Sequence, residues 1–204
     1  MEYLELFAAP IQIHYTNLDI NSLSSFCYNL QRNNRRGVQI SNLGGWQSGN
    51  IRNATHTEFV KLLSEIQTGI NSYHDKLQFK KELKQELTNI WININGKGHS
   101  NEFHIHARAV LSGVFYLNNS KFPIIFKHPY DDINLYYWNE ELIENWNVQN
   151  SGQWTVTPKK NMLVIFPSWL HHKVAMNTED SNRISISFNT ECKKDEWGDR
   201  SKYK

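Results

Sequence analysis

Apolar residues follow two different spacings along this chain, and the spacing changes near Trp91. Before that point, PIQIHYT alternates and predicts a short strand. NLDINSLSSFCYNLQRN and THTEFVKLLSEIQTGINSYHDKL have apolar residues three and four apart and predict amphipathic helices. The candidate N-caps of the first helix are Asn17, Asn21 and Ser22. QFKKELKQELTNI predicts a further short helix, and the glycine-rich RRGVQISNLGGWQSGNIRN predicts a loop.

From Trp91 onward, apolar and polar residues alternate with a period of two. Six stretches predict short strands: IWININ, AVLSGVFYLN, FPIIFKH, QWTVTP, NMLVIFPS and RISISFN. Short strands at this spacing favour an antiparallel sandwich or barrel. Helices followed by strands predict an α+β fold whose helices cover one sheet face. We expect one domain over residues 1–190, helical over about 17–90 and a β-barrel over about 91–190, with a mobile tail at 191–204.

Composition and charge narrow the classes of function. The chain has 204 residues, enough for one domain with its own core. A formal net charge of +2 without a dense Lys/Arg stripe argues against a nucleic acid partner. The 2 cysteines lie far apart, which is typical of free thiols in a reducing compartment. With neither a signal peptide pattern nor a membrane-spanning apolar run, we expect a cytoplasmic protein with no membrane partner; the oligomeric state is left open.

Histidines are concentrated at two places in the strand region. In FHIHARAVLSGVFYLN, His104 and His106 are two residues apart, which on a strand puts both imidazoles on one face. In FPSWLHHKV, His171 and His172 close an apolar run. Two imidazoles on one face, near a third from a neighbouring strand, make a facial set that suits a first-row transition metal. The alternative is that each histidine is an ordinary surface residue or a hydrogen-bonded core residue.

The last predicted strand, within SNRISISFN, has a polar face. Arg183, Ser185, Ser187 and Asn189 alternate with apolar residues and therefore share that face. One interpretation is a half-exposed strand with a solvated arginine. If both faces of the sheet are covered, Arg183 is instead buried and requires an anion, because an unpaired buried charge is costly. A guanidinium beside a hydroxyl is well suited to a carboxylate.

Taken together, these motifs resemble the 2-oxoglutarate- and iron(II)-dependent oxygenases, and most closely a family of bacterial and phage type. The segments that carry the resemblance run from near the N-terminus to about Asn189: ELFAAPI, SNLGGWQS, WININGKG, HIHARAVLSGVFYL, FPSWLHHKV and RISISFN. The resemblance implies a double-stranded β-helix, which is a jelly-roll or cupin-like barrel, with helices packed outside. It also implies Fe(II) and the cosubstrates 2-oxoglutarate and O2.

Carried over to this chain, the resemblance implies that His104 is the first metal ligand and that His172, rather than His171, is the distal one. The superfamily at large has Asp or Glu where this chain has His106. A neutral imidazole leaves the metal with more net positive charge, but imidazole suits iron, so we take His106 as the third ligand. The alternative third ligand is a carboxylate from a following loop: Asp131 or Asp132.

The resemblance also assigns the cosubstrate pocket. Arg183 and Ser185 match the clamp on the far carboxylate of 2-oxoglutarate. Tyr116 stands where related enzymes supply a phenol to the same carboxylate. Asn93, on the strand before the histidine pair, is a further candidate for the pocket.

Two segments each allow a structural and a functional interpretation. In SNLGGWQS, Gly44 and Gly45 form a tight turn at positive φ with Trp46 packed as a plug, or the segment is a lid that brings Trp46 or Gln47 to a substrate. The aromatic and acidic HPYDDINLYYWNEELIENW is either a surface excursion that packs its own aromatic side chains or a rim that faces substrate.

The leading functional hypothesis is a non-haem Fe(II)- and 2-oxoglutarate-dependent oxygenase with hydroxylase-type chemistry on an unidentified substrate. The alternatives are a non-catalytic cupin-like domain that binds a metal or ligand, and a phage or bacterial interaction protein that docks through its aromatic insertion. Arg183 separates them, because a binding domain without 2-oxoglutarate has no need for an inward guanidinium.

Overall fold

The computed structural model describes residues 1–192. Within that range it has three helices: α1 (Ile20–Asn33), α2 (Thr57–Lys76) and α3 (Asp131–Tyr137). The strands in the first half of the chain are β1 (Gln12–Tyr15), β2 (Asn42–Leu43), β3 (Trp46–Gln47) and β4 (Gln85–Asn95). The remaining strands are β5 (Ser100–His104), β6 (Leu111–Tyr116), β7 (Ile124–Lys127), β8 (Gln153–Val156), β9 (Met162–Pro167), β10 (His172–Val174) and β11 (Arg183–Cys192).

The strands form two antiparallel sheets that face each other. The six-stranded major sheet has the order β1-β9-β6-β11-β4-β3, and the five-stranded minor sheet has the order β2-β5-β10-β7-β8. Val114 and Phe166 of the major sheet pack in one apolar cluster with Ile124 and Phe126 of the minor sheet. Two facing antiparallel sheets with helices outside confirm the α+β class and the double-stranded β-helix that the motifs implied.

Helices α1 and α2 cover the outer face of the major sheet, as the sequence predicted. Phe59, Leu62 and Ile66 of α2 are fully buried, because residues three or four apart lie on one side of a helix. At Gly69 the helix lies directly against β9: a Cβ atom there would be 2.7 Å from Cδ1 of Ile165. A larger residue at this position would require the end of the Ile165 side chain to move.

The N-cap of α1 is Asp19, so the expected caps Asn17, Asn21 and Ser22 are wrong. The Asp19 Oδ1 atom accepts hydrogen bonds from the backbone N–H groups of Asn21 at 3.0 Å and Ser22 at 3.1 Å. Asp19 directly precedes the first helical residue, where a carboxylate reaches the unpaired N–H groups of the first turn.

The short helix predicted over QFKKELKQELTNI is also wrong, because β4 begins at Gln85 rather than near Trp91. Lys, Glu and Leu favour a helix locally, but β4 pairs with β11 along its length, from Gln85↔Cys192 to Asn95↔Arg183. Hydrogen bonds to a partner far along the chain override local propensity. The predicted loop before α2 likewise contains β2 and β3, which flank the expected turn: Gly44 has φ 69° and Gly45 has φ 71°.

The insertion between β7 and β8 is largely a surface segment. Several of its aromatic side chains are exposed: Tyr130, Tyr136, Tyr137, Trp138 and Trp146. The rings of Tyr136 and Tyr137 also pack edge to face, with centroids 5.0 Å apart. This arrangement fits a surface excursion that partly packs its own aromatic side chains.

The expected tail at 191–204 begins too early, since Glu191 and Cys192 belong to β11. The rest of that expected tail lies outside the described residues. Over residues 1–192, no helix has both the length and the apolar character needed to cross a bilayer.

Candidate metal centre

Three imidazoles meet between the two sheets. His104 ends β5 and His172 begins β10, and the two residues are direct cross-strand partners. Their ring centroids are 4.4 Å apart, and the His106 ring lies 5.0 Å from that of His104 and 5.1 Å from that of His172. One ligand atom from each ring lies within 4.8 Å of the other two. The three side chains could therefore hold one metal ion.

His106 reaches this cluster by a different route from the one the sequence predicted. β5 ends at His104, so the two histidines do not share one face of a strand. Instead, the His106 backbone N–H donates a hydrogen bond of 3.0 Å to the Ser168 carbonyl. This bond ties the segment after β5 to the segment before β10, and the His106 ring is thereby held beside the other two.

Hydrogen bonds leave a free Nε2 lone pair on two of the rings. The Nδ1 atom of His104 lies 2.7 Å from the Glu102 carbonyl oxygen, and Nδ1 of His172 lies 2.8 Å from that of Leu170. A carbonyl oxygen only accepts, so each Nδ1 carries the hydrogen and each Nε2 is available to a metal. Such support by a second hydrogen-bond partner is the usual arrangement for metal-binding histidines.

Burial keeps these imidazoles uncharged. Loss of hydration lowers the pKa of His172 to about 3 and that of His106 to about 4, with a smaller effect from the neighbouring His104. It also lowers the pKa of His104. All three rings are therefore neutral near pH 7, which is the form that binds metals.

The other candidate ligands lie elsewhere. His171 is exposed, whereas His172 is only 4% exposed. The Asp131 carboxylate is engaged with Lys127 at 3.1 Å, and Asp132 is exposed. Within residues 1–192, the three histidines are the one group found that could hold a metal, and neither aspartate belongs to it. The carboxylate alternative for the third ligand has no support in this arrangement.

The three histidines line a cavity between the two sheets, and Arg183 is buried in the wall of that cavity. It is 2% exposed, and its Nε and Nη1 atoms have no hydrogen-bond partner. Burial lowers the pKa of this guanidinium, but an arginine side chain keeps its charge at neutral pH. The interpretation of a solvated arginine is therefore wrong, and the interior holds a cation that lacks an anion.

Tyr116 and Ser185 complete the polar end of the cavity. They are cross-strand partners on β6 and β11, and both line the cavity with Arg183. The Tyr116 hydroxyl is buried without a partner, and burial raises its pKa to about 12 although the Arg183 charge opposes the rise. A carboxylate would supply acceptors for the phenol and the guanidinium together, so these residues fit the far end of 2-oxoglutarate.

Asn93 lies on the adjacent strand and also lines the cavity. It is 8% exposed, and its Nδ2 atom donates a hydrogen bond of 3.1 Å to the Ser187 hydroxyl. Its position between β3 and β11 in the major sheet places it opposite Ser185. Asn93 therefore contributes to the polar wall of the cavity.

Trp46 and Gln47 are not among the residues that line the cavity. Trp46 belongs to the apolar cluster under the helices, and its indole N–H donates a hydrogen bond of 2.7 Å to the Asn34 carbonyl. Gln47 is 5% exposed and pairs with Asn93 across β3 and β4. The arrangement favours the plug over the lid for Trp46, because its side chain packs away from the cavity.

Sequence reasoning missed the contacts of Asn189 and Ser112 beside the three histidines. The Ser112 hydroxyl lies 2.8 Å from Asn189 Oδ1, and Asn189 Nδ2 lies 3.4 Å from His106 Nδ1. The polar alternation of RISISFN put Asn189 on the same face as Arg183. That pattern was the available signal, but it could not reveal a contact with a histidine from another part of the chain.

A comparison of the sequence with protein family models indicates the same kind of site. The model of a family described as "Putative 2OG-Fe(II) oxygenase" matches residues 89–189, which include the three histidines and Arg183. None of the curated protein sequences matches the chain.

Solved structures with the same fold include proteins from three organisms. A prolyl-4-hydroxylase from Pseudomonas putida has a TM-score of 0.62 at 14% identity, with 93% of this chain and 96% of that chain covered. HygX from Streptomyces hygroscopicus, solved with nickel and 2-oxoglutarate bound, has a TM-score of 0.60 at 10% identity over 90% and 83%. A prolyl hydroxylase from Trichoplax adhaerens, in complex with a hypoxia inducible factor peptide, has 0.60 at 16% identity over 88% and 82%. At these identities the similarity establishes the fold.

Proposed function

This chain belongs to the 2OG-Fe(II) oxygenase family, and from that premise we propose that it is an active iron(II) enzyme that consumes 2-oxoglutarate and O2 to hydroxylate a substrate. One observation carries the proposal: the buried Arg183 guanidinium, with two unpartnered nitrogens, shares one cavity with three neutral imidazoles. A cation buried without a partner destabilises a fold, and a bound dicarboxylate would remove that penalty.

His104, His106 and His172 are the proposed iron ligands. Their support is the mutual distance of their ligand atoms, within 4.8 Å, and the neutral state of the rings. Imidazole nitrogens are suitable ligands for iron(II). When bound, iron, 2-oxoglutarate and O2 supply the oxidising chemistry, and the protein supplies orientation and a shielded site.

Arg183, Ser185 and Tyr116 are the proposed binding groups for the far carboxylate of 2-oxoglutarate. The guanidinium and the phenol donate hydrogen bonds to it, and the hydroxyl of Ser185 adds a third donor. Holding that end fixes the direction of the cosubstrate, so that its keto acid end lies toward the imidazoles. The apolar side chains of Val114 and Phe166 in the cavity wall help to keep water out.

Two further parts of the proposal are the cellular location and the exclusion of a non-catalytic domain. Both cysteines within residues 1–192, Cys27 and Cys192, are free thiols, which supports our proposal of a reducing, cytoplasmic location. The proposal of a bacterial or phage origin rests only on the resemblance of the sequence motifs. A non-catalytic cupin-like domain is disfavoured, because it would bear the cost of burying Arg183 without gaining cosubstrate affinity.

The proposal is tested by anaerobic titration of the metal-free protein with Fe(II) and then 2-oxoglutarate. We expect a weak metal-to-ligand charge-transfer band that saturates with 2-oxoglutarate, and succinate formation once O2 is admitted. Arg183→Ala should lose the band at concentrations that saturate the wild type. Arg36→Ala, at an exposed arginine outside the cavity, is the matched control and should behave as wild type. A folded wild type that binds neither iron nor 2-oxoglutarate would contradict the proposal.

A further inference from the structure

The three imidazoles are supported by two kinds of hydrogen-bond partner. His104 and His172 each have a backbone carbonyl at Nδ1, at 2.7 Å and 2.8 Å. His106 instead has the side-chain amide of Asn189 at Nδ1, at 3.4 Å. A carbonyl can only accept a hydrogen bond, whereas an amide has one accepting end and one donating end. The position of the hydrogen on His106 therefore depends on which way the Asn189 amide points.

The recorded amide orientation does not suit a metal ligand. Asn189 Nδ2 faces Nδ1 of His106, and Oδ1 faces the Ser112 hydroxyl at 2.8 Å. An N–H donor at Nδ1 requires a lone pair there, so the ring hydrogen would lie on Nε2 and would occupy the position that a metal needs. Rotating the amide by half a turn exchanges two atoms of nearly equal size and leaves every heavy atom in place.

The rotated amide pairs with both neighbours in the way a metal-binding His106 requires, and the Ser112 hydroxyl then no longer donates to Asn189 Oδ1. Oδ1 then accepts the Nδ1–H of His106, and Nδ2 donates to the Ser112 oxygen, which has lone pairs to accept it. Ser112 is 1% exposed and is the direct cross-strand partner of Asn189, so the hydroxyl is held in place by the sheet. Ser112 of β6 thus holds one end of the Asn189 amide, and the other end contacts the His106 ring.

We propose that Asn189 is a positioning residue that makes His106 a metal ligand, by accepting Nδ1–H at its side-chain oxygen while Ser112 accepts from its nitrogen. This inference rests on the proposed function, since it presupposes a metal at the three imidazoles. Asn189 orients the ring and directs the Nε2 lone pair toward the metal, as carboxylates and carbonyls do for other metal-binding histidines. A neutral amide oxygen polarises the ring less than a carboxylate does.

The wild-type protein gives a direct test that needs no variant. Zn(II) is a diamagnetic stand-in for iron, and long-range proton–nitrogen NMR spectra of the Zn(II)-loaded protein report which ring nitrogen carries hydrogen. We expect a hydrogen on Nδ1 of all three histidines. A hydrogen on Nε2 of His106 with a metal-bound Nδ1 would overturn the proposal.

Variants of Asn189 test its effect on affinity. Asn189→Leu removes both ends of the amide at similar size, and we expect it to weaken Zn(II) and Co(II) binding by about 10- to 100-fold. Asn189→Asp keeps an acceptor oxygen and should restore at least the wild-type affinity. Asn89→Leu is the matched control, because Asn89 is the β4 partner of Asn189 and its side chain accepts from the Thr88 hydroxyl instead. Ser112→Ala should give a smaller loss than Asn189→Leu.

These outcomes separate the positioning role from the proposed function. Normal metal affinity of a folded Asn189→Leu, or an Asn189→Asp protein as weak as Asn189→Leu, would overturn the role of Asn189 while leaving the metal centre in place. A wild-type protein that binds no metal would remove the proposed function itself. Far-UV circular dichroism and the urea unfolding midpoint establish that each variant is folded before its affinity is compared.

Discussion

The two faces of the major sheet are both buried, but opposite kinds of side chain cover them. On β11, Ile184, Ile186 and Phe188 point toward the helices and pack in one apolar cluster. The residues that alternate with them, Arg183, Ser185 and Ser187, point toward the minor sheet and line the cavity. One strand thus supplies a dry core on one side and polar groups on the other.

The comparison teaches that stability and chemistry are divided between the two faces. The helix-side face is closely packed: a Cβ atom on Gly113 would lie 2.3 Å from Cζ of Phe188. The cavity-side face retains unpartnered polar atoms on Arg183 and Tyr116, which destabilise the ligand-free protein. Substitutions on the two faces should therefore separate the free energy of unfolding from cosubstrate affinity.

Phe188→Ala is expected to have the largest effect on stability. The ring is fully buried and fills the space left by Gly113, so its loss creates a cavity and should lower the free energy of unfolding by about 3–5 kcal/mol. Urea unfolding of the metal-free protein measures the change. The folded fraction should bind 2-oxoglutarate with unchanged affinity. A loss below about 1 kcal/mol, or an equal loss of 2-oxoglutarate affinity, would break the division between the faces.

Arg183→Met tests the opposite face. Removing a buried, partly unpartnered cation should leave the free energy of unfolding unchanged or raise it by about 1–3 kcal/mol. The same change should weaken 2-oxoglutarate binding by about 2–5 kcal/mol, because the dicarboxylate loses its charged partner. Iron affinity without 2-oxoglutarate should stay near the wild-type value. Calorimetric titration and urea unfolding give the three quantities.

A destabilised Arg183→Met protein would contradict this prediction, because it would mean that the guanidinium supports the fold. Arg36→Met, at an exposed position, is the control for the change of side chain alone.

Substitutions of His106 test whether the cavity face carries a three-histidine site. His106→Ala removes one ligand and should weaken Fe(II) binding by more than about 100-fold. This loss exceeds the one expected when a residue that only hydrogen-bonds to a ligand is replaced. His106→Asp supplies a carboxylate that offsets metal charge and should bind Fe(II) at least as well as wild type. Turnover can still fall, because Asp is shorter than His. Metal content and 2-oxoglutarate decarboxylation are measured for each protein; a His106→Ala protein with full iron and normal turnover would remove His106 from the ligand set.

Tyr116→Phe should give the smallest effect and the finest distinction. The hydroxyl is buried without a partner, so its removal should not lower the free energy of unfolding of the ligand-free protein. In the complex it would donate to the carboxylate, so 2-oxoglutarate affinity should fall by about 0.5–1.5 kcal/mol. Unfolding with and without saturating 2-oxoglutarate checks both halves. A loss of stability without the cosubstrate would show that the hydroxyl serves the fold.

Much of the fold could be predicted from local spacing. The apolar periods of α1, α2 and β11 are present in the sequence because each element turns one side toward a core. The start of β4 was mispredicted, since residues 85–90 favour a helix locally and become a strand only by pairing with β11. The N-cap at Asp19 was missed because several neighbouring polar residues are equally suitable in sequence.

The candidate site was predictable as a set of residue types but not as an arrangement. FPSWLHHKV contains two histidines; the resemblance selected His172, and the burial of His172 with exposure of His171 agrees with that choice. His106 was expected on a strand, yet a backbone hydrogen bond to Ser168 holds it in a segment beyond β5. The contact of Asn189 with His106 joins residues far apart in sequence and has no local signal.

The sequence by itself determined which side chains share a face, because alternation along a strand follows from backbone geometry. It placed Arg183, Ser185 and Asn189 together on β11 before any partner strand was known. Whether that face meets water or a second sheet was decided only by the tertiary structure, since hydration depends on what lies opposite. The minor sheet closes over it, removes water from Arg183 and brings the imidazoles to the same cavity, and in that enclosed space these polar residues can serve as a binding site.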